Sequence, residues 1–301
     1  MTNFDDRLKK FGKGGESLAL LVIVGPTASG KSELAMEVAK NFDGEITAAD
    51  SRTVYKGMDI GTAKPSKADQ KAVKHWGVDL VKPGERFSAY NFRAYAEAKI
   101  GEIKAREKLP IIVGGTGLYI DSLLYGYGFR PVASQAERAK FEQMSVEELH
   151  HLITARGYQL PNNPLNRRHL IRTLESGGRA GTSQNLRPGT LLVGLWPTDE
   201  VLHERIKARA EKIFDKGIVG ETKKLIEQYG EPAVKKTAGI AYQAAIKLIK
   251  KELDEQQAKE AVKTGEWQYA RRQRTWFKRN PQISWFDAPD KAYAAIESVV
   301  N

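Results

Sequence analysis

The sequence predicts an α/β fold, a doubly wound parallel sheet with an inserted small helical subdomain and a helical C-terminal part. Short apolar runs recur along the first half of the chain, at 18–24, 45–49 and 110–113. Segments of helical character lie between them, and this alternation is typical of a parallel sheet covered by helices. The first run leads directly into a glycine-containing loop, which also favours this fold.

That loop reads G-x-x-x-x-G-K-[ST], the pattern of a phosphate-binding loop. A strand precedes it and a helical segment follows, which is the structural context that the motif requires. The loop N–H groups and the helix N-terminus supply positive potential. Lys31 would contact the outer phosphates, and the Ser32 hydroxyl would hold Mg²⁺. We therefore predict a P-loop NTPase-like core that binds a diphosphate or triphosphate through Gly25, Pro26, Thr27, Ala28, Ser29, Gly30, Lys31 and Ser32.

Asp50 ends the second predicted strand, and Gly114-Gly115-Thr116-Gly117 follows the strand at 110–113. In parallel α/β sheets the ligand site lies beyond the carboxyl ends of the strands. The phosphate loop, Asp50 and the glycine-rich turn all fall at such ends. From spacing alone, Asp50 is equally well a general base or a Mg²⁺ ligand.

The composition changes at about Tyr125, where Gly126, Gly128 and Pro131 form a predicted linker. We therefore divide the chain into a catalytic core, residues 1–124 and 190–301, and a helical insertion, residues 125–189. Residues 1–17 are polar and are expected to form a loose tail. Helices are predicted over 66–75, 88–106, 135–143, 146–155, 165–176, 199–229, 238–251 and 254–278, and further strands over 191–195 and 283–286.

The chain carries 48 Lys and Arg against 37 Asp and Glu, a formal net charge of +11 over 301 residues. This excess predicts a polyanionic partner larger than a nucleotide. Because there are no cysteines, disulfides, thiolate zinc sites and cysteine nucleophiles are excluded. The five histidines are scattered, and no signal sequence or membrane span is visible. We expect a soluble, cytoplasmic monomer that binds no membrane.

Two segments concentrate the positive charge. In the first, 166–172, Arg168 and Arg172 share one helical face beside His169. The second, 271–279, holds five basic residues, two aromatic residues and no acidic residue. Interleaved guanidinium and ring side chains suit phosphate contacts and base stacking, so both segments together favour RNA.

The order of these motifs closely resembles that of the tRNA isopentenyltransferase (tRNA dimethylallyltransferase) family, from about residue 18 to 286. The segment 59–65 is especially specific, because kinases do not carry it. The residues that carry the resemblance are Gly25–Ser32, Ala49-Asp50-Ser51, Tyr55–Pro65, Gly114–Tyr119, Asn166–Glu175 and Arg272–Trp276.

The resemblance implies transfer of a dimethylallyl group from dimethylallyl diphosphate to N6 of the adenosine 3′-adjacent to the anticodon. The acceptors would be tRNAs that read codons beginning with U. It also implies that Asp50 is the base, that Lys31 and Thr27 act on the departing diphosphate, and that Mg²⁺ binds at Ser32. The tRNA anticodon stem-loop would contact Asp50, Ser51, Arg52, Thr53, Thr116, Arg138, Arg168, His169, Arg172, Arg271, Arg272, Arg274 and Trp276.

Two departures from the family pattern lie in the predicted catalytic core. Ser51-Arg52-Thr53-Val54 stands where the family carries Ser-Met-Gln-Val or similar, which puts an arginine beside the expected base. Ala238 takes the place of a polar or basic residue, so no catalytic residue is assigned there.

Three other functions are compatible with parts of the pattern. A P-loop small-molecule kinase would transfer phosphoryl groups but would leave the basic C-terminal helix without a role. An ATP-gated RNA-binding module would bind RNA in a nucleotide-dependent way and form no product. Prenylation of free AMP or ATP would make both basic segments superfluous.

Overall fold

The computed structural model describes residue 11 and residues 17–126, 135–177 and 185–300. Nearly all of the predicted N-terminal tail, and the linker residues Gly128 and Pro131, lie outside these ranges. The chain forms two compact units, residues 1–124 with 186–301 and residues 125–185.

The larger unit is built on a six-stranded sheet in which every neighbouring pair of strands is parallel. The strand order is β3-β2-β4-β1-β5-β6, so the chain reverses its winding direction around the central strand β1. In register, Val22 of β1 lies opposite Ile112 of β4 and Leu192 of β5. This confirms the predicted doubly wound α/β fold. The strands are β1 (Leu20–Val24), β2 (Gly44–Ala48), β3 (His75–Trp76), β4 (Leu109–Gly114), β5 (Thr190–Leu195) and β6 (Ser284–Phe286).

The larger unit contains helices that cover the sheet and a further group of helices in the C-terminal part of the chain. Within the described residues they are α1 (Lys31–Asn41), α2 (Lys67–Ala72), α3 (Ala89–Lys104), α4 (Gly117–Leu124), α8 (Asp199–Asp215), α9 (Ile218–Tyr229), α10 (Glu231–Thr237), α11 (Ile240–Ile249), α12 (Glu255–Phe277) and α13 (Pro289–Val300).

The central strand is fully buried because the sheet is covered on both faces. All five residues of β1 are buried, as a strand in a covered parallel sheet requires. On one face, Leu34 and Val38 of α1 pack with Ile296 of α13 against the apolar strand residues. A second apolar cluster joins the segment around Val54 and Met58 to helices α8 to α12. This cluster attaches the loop that follows β2 to the C-terminal helices.

One predicted helix is divided in the structure, and two short elements were not predicted. The single helix predicted over 199–229 is two helices, α8 and α9, because Gly217 adopts a left-handed φ of 87° between them. The short strand β3 and helix α10 were not predicted. Strand β3 has only two residues, and α10 begins at the Glu231-Pro232 pair, in the gap between the helices predicted over 199–229 and 238–251.

The smaller unit contains three helices, α5 (Gln135–Gln143), α6 (Val146–Ala155) and α7 (Arg167–Glu175), among its described residues. Ser145 caps α6 through a capping box with Glu148, and Asn166 caps α7. The unit has a core of its own, formed by Phe141, Leu149, Ile153, Leu170, Ile171 and Leu174.

Within the described ranges, no helix has the length and apolar character that crossing a membrane requires.

Candidate active site

The phosphate loop connects the carboxyl end of β1 to the first turn of α1. Gly30 is the residue before α1 and has φ 93° and ψ 3°, a left-handed conformation that favours glycine. Thr27 and Ser29 are buried. The loop is therefore partly buried, and its backbone leads directly into the N-terminus of α1, as in a phosphate-binding loop.

Lys31 is half-buried at the start of α1, and its ammonium donates to the carbonyl oxygen of Pro26 at 2.9 Å. Burial lowers the pKa of Lys31 to about 8. The Asp50 carboxylate opposes this change, whereas the positive charge of Arg209 adds to it. The charge of the predicted base, Asp50, therefore acts on the predicted phosphate contact, Lys31.

Asp50 is the second residue after the end of β2, and neighbouring backbone groups orient its carboxylate. Its Oδ1 accepts a hydrogen bond from the N–H of Arg52 at 2.7 Å and a longer one from that of Thr53 at 3.4 Å. The Arg52 guanidinium turns the other way and donates to the carbonyl oxygen of Thr237 at 3.0 Å. The Asp50 carboxylate is thus held by a turn of its own chain.

The glycine-rich turn after β4 lies against the Asp50 segment. The N–H of Ser51 donates to the Thr116 hydroxyl at 3.0 Å. Tyr269 of α12 is nearby: its own burial, and to a smaller extent the Asp50 charge, raise its pKa to about 12, while a hydrogen bond with Thr116 acts in the opposite direction. Tyr269 consequently keeps its proton at neutral pH.

Helix α12 clamps the phosphate loop and the glycine-rich turn together through buried polar groups. The Gln273 side chain accepts from the N–H of Thr27 at 2.8 Å and donates to the carbonyl oxygen of Gly115 at 2.9 Å. The Thr27 hydroxyl donates to Glu266 at 2.8 Å. A Cβ at Gly115 would lie 2.1 Å from the Gln273 amide nitrogen, so this close approach requires glycine.

The sequence did not single out Glu266, Tyr269 or Gln273. The signal that could have revealed them is their spacing: three polar side chains, three and four residues apart, lie on one face of a long helix. Polar groups on an inward face need partners, because an unpaired buried group is costly.

These groups line one large cavity of the larger unit, with a volume of about 1560 Å³. This exceeds the roughly 300–1,000 Å³ of ordinary small-molecule pockets. The cavity can therefore hold a second substrate group in addition to a phosphate ligand bound at the loop. Site residues on its lining include Thr27, Ala28, Ser29, Gly30, Lys31, Ser32, Asp50, Ser51, Arg52, Thr53, Arg205, Arg209, Glu266, Tyr269, Arg272 and Gln273.

The donor atoms at the loop fit Mg²⁺. Ser32 lines the cavity and is exposed. Elsewhere in the described ranges, no three His, Asp or Glu side chains converge as a metal cage. A hydroxyl ligand at this position suits Mg²⁺, which keeps several waters and is held largely by substrate phosphate oxygens.

The basic segment of α12 divides into cavity-facing and buried side chains. Arg272 lines the cavity, with its guanidinium 5.8 Å from the centre of the Tyr269 ring, and Arg271 is exposed. Arg274 is buried, pairs with Asp199, donates to the carbonyl oxygen of Pro197 and lies over a tryptophan ring. These contacts point to a structural role for Arg274 in place of the tRNA contact that the sequence suggested.

Trp276 also has internal contacts. Its indole nitrogen donates to Asp121 at 2.7 Å, and a Cβ at Gly117 would lie 2.2 Å from its ring. The guanidinium of Arg279 lies 4.4 Å from the ring centre. Trp276 therefore packs α12 against the start of α4, and only part of its surface faces solvent.

The remaining predicted tRNA contacts belong to the smaller unit. Arg168 and His169 are exposed on α7. Arg138 pairs with Glu142 at 2.8 Å and with the buried Glu175 carboxylate at 2.9 Å. Arg172 lies 3.7 Å from the same Glu175. Arg168 and Arg172 thus share an exposed helix surface, whereas Arg138 also helps to hold α5 against α7.

Comparison with known proteins gives a consistent result. The sequence model of the IPP transferase family matches residues 53–280. The chain is 37% identical over 287 residues to a tRNA dimethylallyltransferase of Staphylococcus epidermidis, which covers 89% of this chain and 86% of the relative. It is 40% identical over 293 residues to one from Streptococcus pneumoniae, with 94% and 98% covered.

Comparison with solved structures indicates the same family. The S. epidermidis tRNA isopentenylpyrophosphate transferase superposes with a TM-score of 0.70 at 35% identity, over 94% of this chain and 98% of that one. The Bacillus halodurans tRNA isopentenylpyrophosphate transferase gives 0.70 at 30% identity, over 93% and 96%. A eukaryotic dimethylallyltransferase acting on tRNA gives 0.73 at 24% identity, over 89% and 73%, a likeness of fold.

Proposed function

Because the chain belongs to the IPP transferase family, we propose that it transfers a dimethylallyl group from dimethylallyl diphosphate to a tRNA. The acceptor atom is N6 of the adenosine 3′-adjacent to the anticodon, in tRNAs that read codons beginning with U. The observation that carries this proposal is that the phosphate loop, with Lys31, and Asp50 line the same cavity.

In this reaction the diphosphate leaves and a carbon group is transferred. The allylic C–O bond breaks with its electron pair passing to the diphosphate, and the N6 lone pair forms the new C–N bond. Lys31 and the loop N–H groups stabilise the negative charge that grows on the leaving group. Thr27 anchors the loop, because its hydroxyl and N–H already donate to α12. Mg²⁺ held by the Ser32 hydroxyl would supply further positive charge to the diphosphate.

Asp50 takes the proton that N6 loses as the C–N bond forms. The exocyclic amine of adenine is a weak nucleophile because its lone pair is delocalised into the ring. A positioned base contributes about 10²–10⁴-fold to such a step. The hydrogen bond from Arg52 to Oδ1 fixes the orientation of the carboxylate, which supports its assignment as the base.

The acceptor adenosine must leave its base stack to reach Asp50. The cavity volume of about 1560 Å³ supports entry of an unstacked purine beside the donor. Ser51 and Arg272 line this cavity, and Thr116 accepts a hydrogen bond from the Ser51 N–H. Arg168, His169 and Arg172 of the smaller unit offer phosphate contacts to the anticodon stem-loop. The protein acts as a monomer in the cytoplasm under this proposal.

The test is incubation of the full chain with Mg²⁺, dimethylallyl diphosphate and unmodified tRNA, followed by nucleoside analysis. The expected product is N6-isopentenyladenosine together with one released diphosphate per modified tRNA. Parallel reactions with AMP as acceptor, and with ATP in place of the donor, are the controls. Product with AMP but not with tRNA, or phosphoryl transfer from ATP without prenylation, would contradict the proposal.

A further inference from the structure

Tyr269 of α12 is linked by hydrogen bonds to the segment that carries Asp50. Ser51 directly follows Asp50 in the chain, and its N–H donates to the Thr116 hydroxyl at 3.0 Å. The same hydroxyl forms a hydrogen bond with the phenol of Tyr269. Tyr269 and Asp50 both line the cavity. Thr116 therefore connects the turn that orients the Asp50 carboxylate to a phenol in the wall of the same cavity.

The phenol of Tyr269 keeps its proton and can offer it to a ligand. Burial raises the pKa of Tyr269 to about 12, so the group stays protonated across the neutral range. A threonine hydroxyl has one proton and two lone pairs, and Thr116 uses a lone pair for the Ser51 N–H. Its proton can therefore be donated to the phenol oxygen, which agrees with the direction in which this hydrogen bond lowers the pKa of Tyr269. The phenol proton then remains for a group in the cavity.

Two tyrosines that follow the same turns in the chain use their protons within the protein. The Tyr55 hydroxyl donates to the carbonyl oxygen of Glu85 at 3.3 Å, and the Tyr119 hydroxyl donates to that of Phe87 at 3.1 Å. Neither of these two tyrosines belongs to the cavity lining. Tyr269 differs from both because it faces the cavity, which makes it the candidate for a contact with substrate.

Asp50 and Tyr269 present one hydrogen-bond acceptor and one donor to the cavity. Enzymes that act on an unstacked base read it through hydrogen bonds to its Watson–Crick edge. On that edge adenine has a donor, the N6 amine, beside an acceptor, N1. Guanine has the reverse order, because its O6 accepts and its N1–H donates. A carboxylate beside a protonated phenol therefore matches adenine and opposes guanine at both positions.

We propose that Tyr269 is a specificity-determining residue that donates a hydrogen bond to N1 of the acceptor adenine while Asp50 accepts from N6, an inference that rests on the proposed function. Guanine in the same place would turn its O6 toward the carboxylate and its N1–H toward the phenol proton. A site built to hydrogen-bond a substrate rejects an analogue that lacks the matching group, because the polar groups of the site are left unpaired.

The test combines a change in the enzyme with a change in one atom of the acceptor. A synthetic anticodon stem-loop carries either adenosine or 1-deazaadenosine, in which a C–H replaces N1, at the acceptor position. The full chain is assayed with Mg²⁺ and dimethylallyl diphosphate, and kcat/KM for the stem-loop is measured. Loss of N1 should lower this value about 10- to 100-fold in the wild type, the effect of one unpaired hydrogen-bonding group.

Tyr269→Phe should lower kcat/KM for adenosine about 10-fold, and it should lose nothing further when N1 is removed. The matched substrate is 7-deazaadenosine, which keeps N1 and should react like adenosine. The matched variant is Tyr90→Phe, since Tyr90 is exposed and outside the cavity lining. It should discriminate against 1-deazaadenosine as the wild type does.

Thermal unfolding reports whether each variant is folded, and Tyr269→Leu removes the same donor if Tyr269→Phe does not fold. Equal reaction of the wild type with adenosine and 1-deazaadenosine would overturn the inference, and this result needs no variant. A folded Tyr269→Phe protein that still loses activity with 1-deazaadenosine would also overturn it, because another donor such as Arg272 would then read N1. Both results leave the proposed function intact. A wild type that forms no N6-isopentenyladenosine from the adenosine stem-loop would contradict the proposed function and the inference together.

Discussion

The phosphate-loop region and the helical insertion both carry many charged side chains, but they hold them in opposite ways. Around the loop, Glu266 and Gln273 are buried and bind a residue more than 200 positions away in the sequence. In the insertion, Arg168 and His169 are exposed, and Arg172 pairs three residues along its own helix. Buried polar groups fix the geometry of the residues that they bind. Exposed charges attract a polyanion over a longer range, and dissolved salt weakens that attraction.

This difference predicts separate consequences of mutation. Substitution around the loop should change catalysis or stability with little effect on the salt dependence of tRNA binding. Substitution of exposed cations in the insertion should change that salt dependence with little effect on stability.

The largest effect is expected for Asp50→Asn. The amide still accepts the N–H of Arg52 but cannot take a proton from N6. The rate of product formation in single-turnover reactions should fall by about 10²–10⁴-fold. The Kd for tRNA should stay at the wild-type value. The control is Glu37→Gln, which removes an exposed carboxylate from the lining of the same cavity. Retention of most of the rate by Asp50→Asn would exclude it as the base.

The second prediction concerns Arg274→Ala. The change removes a buried guanidinium from Asp199 and leaves the Pro197 carbonyl oxygen without this donor. Because Asp199 is 61% exposed, water replaces the lost guanidinium there, which limits the loss of stability. The free energy of unfolding should fall by about 2 kcal/mol. Denaturant unfolding measures this loss. Arg271→Ala, an exposed position on the same helix, should leave stability unchanged. A stable Arg274→Ala protein with a weakened salt dependence of tRNA binding would reverse our assignment.

The smallest change in free energy is expected for Arg168→Ala. Arg168 is exposed, so the midpoint of thermal unfolding should not move. The slope of log K for tRNA binding against log salt concentration should decrease by about one, the loss of one phosphate contact. Lys140→Ala, another exposed cation of the same unit, tests whether any lost charge has this effect. Equal slopes for both variants would show a general charge effect without a local contact.

The sequence alone predicts those features of the fold that depend on residues close together in the chain. The apolar run at 20–24 and the glycines of the phosphate loop encode a strand, a turn and a helix within a short segment, and the structure has them there. The position of Asp50 at a strand end followed from the same local pattern. These elements are specified by hydrophobic periodicity and backbone geometry, which a single sequence displays.

The contacts of α12 were not predictable in the same way, because their partners lie far away in the sequence. The basic segment indicated cations but not which of them face inward. The helical period does contain that information: Ala270, Arg274 and Phe277 are four and three residues apart and all three are buried. The pairing of Gln273 with Thr27 and Gly115 depends on how α12 packs on the sheet, which no local pattern expresses.

The clamp formed by Gln273 has a consequence for how the protein is made. The N–H of Thr27 meets its acceptor 246 residues further along the chain. At roughly 5–20 residues per second, a ribosome needs about 12–50 s to synthesise that interval. A nascent chain therefore carries the complete phosphate-loop sequence long before the amide that holds the loop in place exists. The contact that holds the phosphate loop at the start of the protein is therefore among the last of the larger unit to form during synthesis.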